Sequence, residues 1–198
     1  MKYTIAALVI LLGLNVAGQS TQDFSKATRH EPSASLTGAY WQIPFAGKRI
    51  LLQENGSGTF MAGHRTRHFS MKLSAGDLLS GSLYYAKVGK DLILLCEAQA
   101  GDAGYGFITR LDGRELRVRW KSRIDGFNVG PGLIEDMSAY VTAIGFIGKV
   151  DLSTGAFQWK HAGFYRKYDP SGAFNIFVRP RLAGRYHVQR GRCRRSGL

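Results

Sequence analysis

Cysteine and proline are scarce in this sequence, which has two cysteines and five prolines among 198 residues. Cys96 and Cys193 are so far apart that they form neither a vicinal pair nor a closely spaced metal-binding motif. Cys96 lies in an apolar run and Cys193 in a basic one, which leaves open a disulfide between them or two separate thiols. A fold built on a disulfide framework is excluded.

Acidic residues are also few, with 14 Asp and Glu against 27 Lys and Arg and a net charge of +13. The excess is uneven, because seven arginines and no acid lie between Arg179 and Leu198. We predict a disordered basic tail over residues 181–198, for which weak polyanion binding is the alternative interpretation. The tail is also open to interpretation as a truncated or frame-shifted end. No specific nucleic-acid partner is expected.

Long apolar runs are missing after the first residues of the chain. Met1 and Lys2 precede a nearly apolar run from Tyr3 to Val16, and small residues follow up to Gly18. This arrangement is typical of a secretory signal peptide cleaved near Gly18, and the run is shorter than the roughly 20 residues that span a bilayer. We therefore expect residues 1–18 to be a signal peptide. The mature chain is expected to be periplasmic or secreted, with no transmembrane segment.

Helical spacing of apolar residues is absent as well, since no window sustains it across three turns. Short apolar runs alternate instead with turn residues, as at Asn55-Gly56 and Asp112-Gly113. This texture predicts an all-β chain. Residues 19–35 are polar and predict a flexible leader, and residues 36–180 predict the folded β domain.

What the chain does contain is an internal repeat of about 39 residues. The run Gly106–Asp112 aligns without a gap on Gly145–Asp151, and the same offset carries Trp120 onto Trp159. A weaker copy is suggested at Phe69–Leu73, and Trp41 lies close to two periods before Trp120. We expect each Asp to accept backbone N–H groups in the turn that it begins and each Trp to pack on the neighbouring unit.

The second copy carries a recognisable motif. Asp151, Thr154, Gly155 and Trp159 match position for position the pyrroloquinoline-quinone-type propeller repeat, which the region resembles. The stretch from Asp112 to Trp120 is a looser copy without a Thr-Gly pair. The resemblance implies a short or incomplete β-propeller-like array of antiparallel repeats, similar to exported bacterial proteins of this kind. The alternative is a lipocalin-like β-barrel, whose early strand the run Leu36–Trp41 resembles.

Catalytic constellations are not recognisable. Quinone-dependent dehydrogenases with this repeat would carry a vicinal cysteine pair and calcium ligands, so no cofactor is expected here. His64 and His68 share one face but are separated by arginines, which argues against a metal site. No nucleophile elbow occurs. We therefore predict no catalytic or metal-binding residues, and whether the protein is an enzyme stays open with the balance against it.

Binding is the function that remains. Phe127 and Asn128 lie in a Gly- and Pro-rich stretch from Gly126 to Gly132, which predicts a connection between repeats and a candidate binding loop. The leading hypothesis is a non-catalytic exported module that binds another exported protein or an envelope component. The alternatives are a small-molecule or polyanion binder, using Tyr84, Tyr85, Phe127 and the basic tail, and an enzyme whose site the sequence does not reveal.

Overall fold

Fifteen β-strands make up the regular structure of the part of the chain that the computed structural model describes, namely residues 21–32, 38–62 and 65–163. The strands are β1 (Thr21–Asp23), β2 (Ser25–Lys26), β3 (Thr28–His30), β4 (Tyr40–Phe45), β5 (Lys48–Gln53), β6 (Ser57–Ala62), β7 (Arg65–Ser70), β8 (Leu78–Val88), β9 (Asp91–Ala100), β10 (Ala103–Leu111), β11 (Val118–Ile124), β12 (Leu133–Glu135), β13 (Ser138–Ala143), β14 (Phe146–Asp151) and β15 (Phe157–Ala162). No helix is found among these residues, and none of them forms a helical span of the length and hydropathy needed to cross a membrane.

Twelve of these strands form three consecutive antiparallel units of four. The first sheet is built on β4–β7, the second on β8–β11 and the third on β12–β15, each a meander in chain order. The predicted fold class is therefore confirmed as all-β and β-propeller-like. The described sheets do not close into a ring. The lipocalin-like alternative is wrong, because the strands divide among three separate sheets instead of forming one continuous barrel wall.

The hydrophobic core lies in two layers, one on each side of the second sheet. One layer packs Trp41, Ile50 and Phe60 of the first sheet against the second sheet, and the other packs Phe146 and Val150 of the third sheet against its opposite face. The central strand β9 is consequently buried on both faces over residues 91–96. Its continuous apolar run from Leu92 to Cys96 reflects that position, because a strand covered on both sides needs no polar alternation.

The N-terminal segment corrects the prediction of a flexible leader. Within residues 21–30, β3 pairs with β4 of the first sheet, β2 with β8 of the second and β1 with β12 of the third. Ten residues thus add a fifth strand to the first-strand edge of every sheet. The polar composition suggested a flexible segment because these short strands contribute mainly backbone hydrogen bonds. Of residues 21–30, only Phe24 and Ala27 are buried.

Two expectations about the first repeat are also wrong. The repeated runs at Gly106–Asp112 and Gly145–Asp151 contain β10 and β14, the third strands of their sheets, and the third strand of the first sheet is β6. The suggested weaker copy at Phe69–Leu73 instead covers the end of β7 and the connection after it. Trp41 lies in β4, a first strand, and is buried in the core, so it is no counterpart of Trp120 in a fourth strand. Residues 1–20 and 164–198, with the predicted signal peptide, the basic tail and Cys193, lie outside the described residues.

Candidate binding surface

The turn after β14 is organised by the carboxylate of Asp151. Its Oδ1 accepts the backbone N–H of Ser153 at 2.7 Å and that of Thr154 at 3.1 Å. The backbone closes the same turn, because Gly155 N–H donates to the Asp151 carbonyl at 2.8 Å, with Gly155 at φ +79°. The Ser153 hydroxyl and these amides favour the charged carboxylate and lower the pKa of Asp151.

The turn after β10 repeats this arrangement at the earlier copy. Asp112 Oδ1 accepts the N–H of Arg114 at 2.9 Å and that of Glu115 at 3.1 Å. Leu116 occupies the position of Gly155, with φ +55° and an N–H···O=C bond of 2.6 Å to Asp112. The Arg114 amide first, then the Glu115 amide, lower the pKa of Asp112 to about 2. The two turns are thus equivalent although the first lacks the Thr-Gly pair.

Trp120 joins the second sheet to the turn of the third. Its indole Nε1 donates to the Leu152 carbonyl at 3.2 Å. A Cβ placed on Gly155 would lie 2.6 Å from indole Cδ2, so the ring occupies the space that a side chain there would need. Ser122, two residues along β11, donates to the Gly155 carbonyl at 2.5 Å. This contact requires glycine at 155 for close approach as well as for its backbone angle.

Trp159 is not part of that contact. It is half-buried on β15, and its ring lies 6.3 Å from that of Tyr140 and 6.0 Å from that of His161, measured between centroids. The structure therefore brings Trp120 and Gly155 together, with Asp151 and Thr154 in the same turn. The Asp112 turn lies in the second sheet and Trp159 on the last strand of the third, so neither takes part in this contact.

A buried ion cluster at Asp91 escaped the sequence analysis. The Asp91 side chain is 2% exposed and lies 2.7 Å from the Arg110 guanidinium and 3.2 Å from that of Arg119. Arg110 also donates to the Leu152 carbonyl at 2.6 Å, so it links the second sheet to the third. The available signal was an acid directly before the apolar run of β9, which requires a cationic partner once buried.

The loop between β11 and β12 is held by hydrogen bonds to both neighbouring sheets. The Gly126 carbonyl accepts the N–H of Gly106 in the second sheet at 2.7 Å, and the Phe127 carbonyl accepts that of Ile144 beside the third at 2.8 Å. Asn128 has φ +51°. Between these anchors the Phe127 side chain is 42% exposed. The loop therefore presents an aromatic ring from a fixed backbone.

A second exposed apolar side chain lies near this loop. Leu78 is 47% exposed at the start of β8, and its register partner on β9 is Gln99, which is itself opposite Gly104 on β10. A Cβ on Gly104 would be 3.4 Å from Phe127 Cβ. Leu78 and Phe127 thus lie on one end of the second sheet. We call this end the Phe127 surface.

Other candidate residues do not converge. Tyr84 and Tyr85 are successive residues of β8 and pack on opposite faces of the second sheet, so they do not form one aromatic site with Phe127. Cys96 is a free, buried thiol, and burial raises its pKa. His68 is exposed on β7, while His64 lies outside the described residues. Within the described ranges no three His, Cys, Asp or Glu side chains group as a metal site would require.

Comparison with known proteins shows a likeness to solved structures. No family model matches the chain, and no curated protein matches it. The crystal structure of BamB from Moraxella catarrhalis is similar with 20% sequence identity and a TM-score of 0.46, over 71% of this chain and 38% of that one. The chain therefore spans well under half the length of that structure.

Proposed function

We propose that this protein is an exported, non-catalytic β-repeat module that binds another exported protein or an envelope component through the Phe127 surface. The observation that carries the proposal is a 42% exposed phenylalanine on a loop fixed to two sheets. An aromatic side chain on a rigid backbone loses little conformational entropy when a partner covers it. Exposed aromatic anchors of this kind often supply much of the energy of a protein interface.

Anchoring around the loop supports the same interpretation. The Val129 N–H donates to Glu97 at 3.4 Å, and the Gly130 N–H donates to the Thr142 carbonyl at 3.0 Å. These bonds fix the residues that follow Phe127. The loop backbone is therefore held on both sides of the Phe127 ring. Export is proposed from the charge and apolar pattern of residues 1–18.

Site-directed photocrosslinking in intact cells tests the proposal. A photoreactive residue at Phe127 is expected to capture one envelope protein, whereas the same residue at Met61 is expected to capture none. Met61 is a matched control because it is 49% exposed on β6 of the first sheet, outside the Phe127 surface. Equal capture at both positions would contradict the proposal.

Affinity with the purified partner gives the quantitative test. Phe127→Ser is expected to weaken binding by about 2 kcal/mol, which is roughly 30-fold, because a central aromatic anchor is lost. Met61→Ser removes an exposed apolar side chain outside the surface and should leave the affinity unchanged. If Met61→Ser and Phe127→Ser weaken binding equally, the proposed binding surface is wrong.

A further inference from the structure

The junction between the first and second sheets differs in charge from the junction between the second and third sheets. On β11, Trp120 and Ser122 face the third sheet and bond to its turn through Leu152 and Gly155. On its other face, Lys121 and Arg123 point toward the first sheet, whereas Arg119 lies at a β-bulge and pairs with Asp91 and Asp112. One strand therefore closes one junction with neutral side chains and lines the other with cations.

The first sheet contributes cations to the same junction. Arg65 and Arg67 lie on the side of β7 that carries the core residue Phe60 across the register, which is the side facing the second sheet. Arg67 Nη1 lies 3.5 Å from the Arg114 carbonyl, and Lys121 Nζ donates to the Lys72 carbonyl at 2.7 Å. Each contact thus brings two cationic residues together through a backbone carbonyl instead of a carboxylate.

Counter-charge is sparse at this junction. Three acids lie beside it and each already has a partner: Asp112 pairs with Arg119 at 2.5 Å, Glu115 lies 3.6 Å from Arg117, and Asp77 accepts the Tyr105 hydroxyl at 2.6 Å. Within the described residues, five exposed cations here form no ion pair, and they are Arg65, Arg67, Lys72, Arg114 and Lys121. At the other junction the cation of β15, Lys160, lies 3.0 Å from Asp125.

We infer that the cationic junction of the first and second sheets, formed by these five residues, binds a linear polyanion of phosphate groups. Arginine presents a fixed fork of donors that matches phosphate oxygens, and lysine adds point charge. Alternate residues of a strand recur about every 7 Å, so Arg65 and Arg67 of β7 offer a row of charges to an extended chain, and Lys121 of β11 adds a further one. A single small anion would leave most of these charges unmatched.

The placement of the side chains favours such a polymer over two other anionic partners. Arg65 and Arg67 project from the first sheet and Lys121 from the second, with Lys72 and Arg114 in connections beside them, so an extended chain can contact cations of both sheets. A flat bilayer would reach only the outermost of these side chains. Single-stranded nucleic acid needs free aromatic faces for its bases. The nearby rings are already covered, with Lys121 Nζ 5.4 Å from the Phe107 centroid and the Arg123 guanidinium 4.3 Å from that of Tyr105.

Two charge-matched variants of the full chain test the site with short-chain inorganic polyphosphate as the probe. The junction variant carries Arg65→Gln, Arg67→Gln and Lys121→Gln. The control carries Lys26→Gln, Arg49→Gln and Lys149→Gln, three cations outside the junction that form no ion pair in the described part of the chain. Both lose three charges and retain the arginines between Arg179 and Leu198.

We expect the dissociation constant for polyphosphate to rise about tenfold in the junction variant and to change little in the control, because charges more than about 8 Å from the bound chain are largely screened at physiological ionic strength. Backbone amide shifts in β7 and β11 are expected to move on titration of the unmodified protein. Equal weakening in both variants would overturn the inference. Amide shifts confined to residues outside β7 and β11, or tighter binding of anionic lipid vesicles than of polyphosphate, would also overturn it.

Discussion

Trp120 of the second sheet lies against Gly155 of the third, with indole Cδ2 2.6 Å from the position that a Cβ on residue 155 would take. The indole N–H is satisfied in the same contact by the Leu152 carbonyl, at 3.2 Å. Residue 155 is therefore constrained twice, by its backbone angle of φ +79° and by the ring above it. The two constraints are separable by experiment.

Gly155→Ala is expected to lower the free energy of unfolding by about 3 kcal/mol. About 1 kcal/mol comes from placing an L side chain at positive φ, and the rest from displacing the indole. Gly89→Ala is the control, since Gly89 has φ +59° and nothing within 4 Å of its added Cβ, so it should lose only about 1 kcal/mol. Urea denaturation measures both. Equal losses would mean that the Trp120 contact contributes nothing.

Leu116→Gly is expected to destabilise the protein although the equivalent residue of the next repeat is glycine. Leu116 has φ +55°, so glycine relieves about 1 kcal/mol of backbone strain. However, Leu116 is 2% exposed in the core layer between the first and second sheets, and losing that side chain costs about 3 kcal/mol. The net loss, about 2 kcal/mol, is measured by urea denaturation.

Asn128→Gly is the matched control for that experiment. Asn128 also has positive φ, at +51°, but its side chain is exposed. Asparagine adopts this conformation at small cost, so glycine there should change the free energy of unfolding by no more than about 0.5 kcal/mol. If Leu116→Gly proved as neutral as Asn128→Gly, the burial of Leu116 would not contribute to stability.

These residues show how far the sequence could be interpreted. The 39-residue offset between Asp112 and Asp151 predicted two equivalent units, because turn-forming carboxylates and flanking apolar runs are local features. The missing Thr-Gly pair made the first unit look divergent, yet its turn has the same hydrogen bonds. The two turns differ in which side chain fills the space beside them. The Trp120 indole of the preceding sheet covers Gly155, whereas at the earlier turn the Leu116 side chain itself is buried.

Long-range pairings were beyond the sequence. The strands at residues 21–30 have no apolar alternation, and their partners lie up to 114 positions away, as in the pairing of Thr21 with Glu135. The cationic face of β11 was hidden for a related reason. Lys121 and Arg123 look like an ordinary solvated side of a strand until the first sheet is placed opposite them.

The Asp112 turn predicts a loss of stability in acid. Its pKa is lowered to about 2 in the folded protein from 3.8, so the stabilisation is fully present above about pH 4 and is lost as the pH falls through 2. Asp112→Asn should make the urea midpoint less dependent on pH across that window, since an amide cannot ionise. Asp102→Asn, in an exposed turn where no described hydrogen bond reaches the carboxylate, is the control for the substitution itself. An unchanged profile in Asp112→Asn would contradict the assignment.

The N-terminal strands are expected to contribute to the stability of the array through Phe24. Its side chain is 5% exposed in the core layer between the second and third sheets, where its ring lies 2.9 Å from the Cβ position of Gly132. Phe24→Ala should therefore lower the free energy of unfolding by about 3 kcal/mol, the usual cost of such a cavity. Ser25→Ala, one residue along and exposed, should change it by less than about 0.5 kcal/mol. Urea denaturation compares the two, and similar small effects would mean that residues 21–30 lie on the sheets without supporting them.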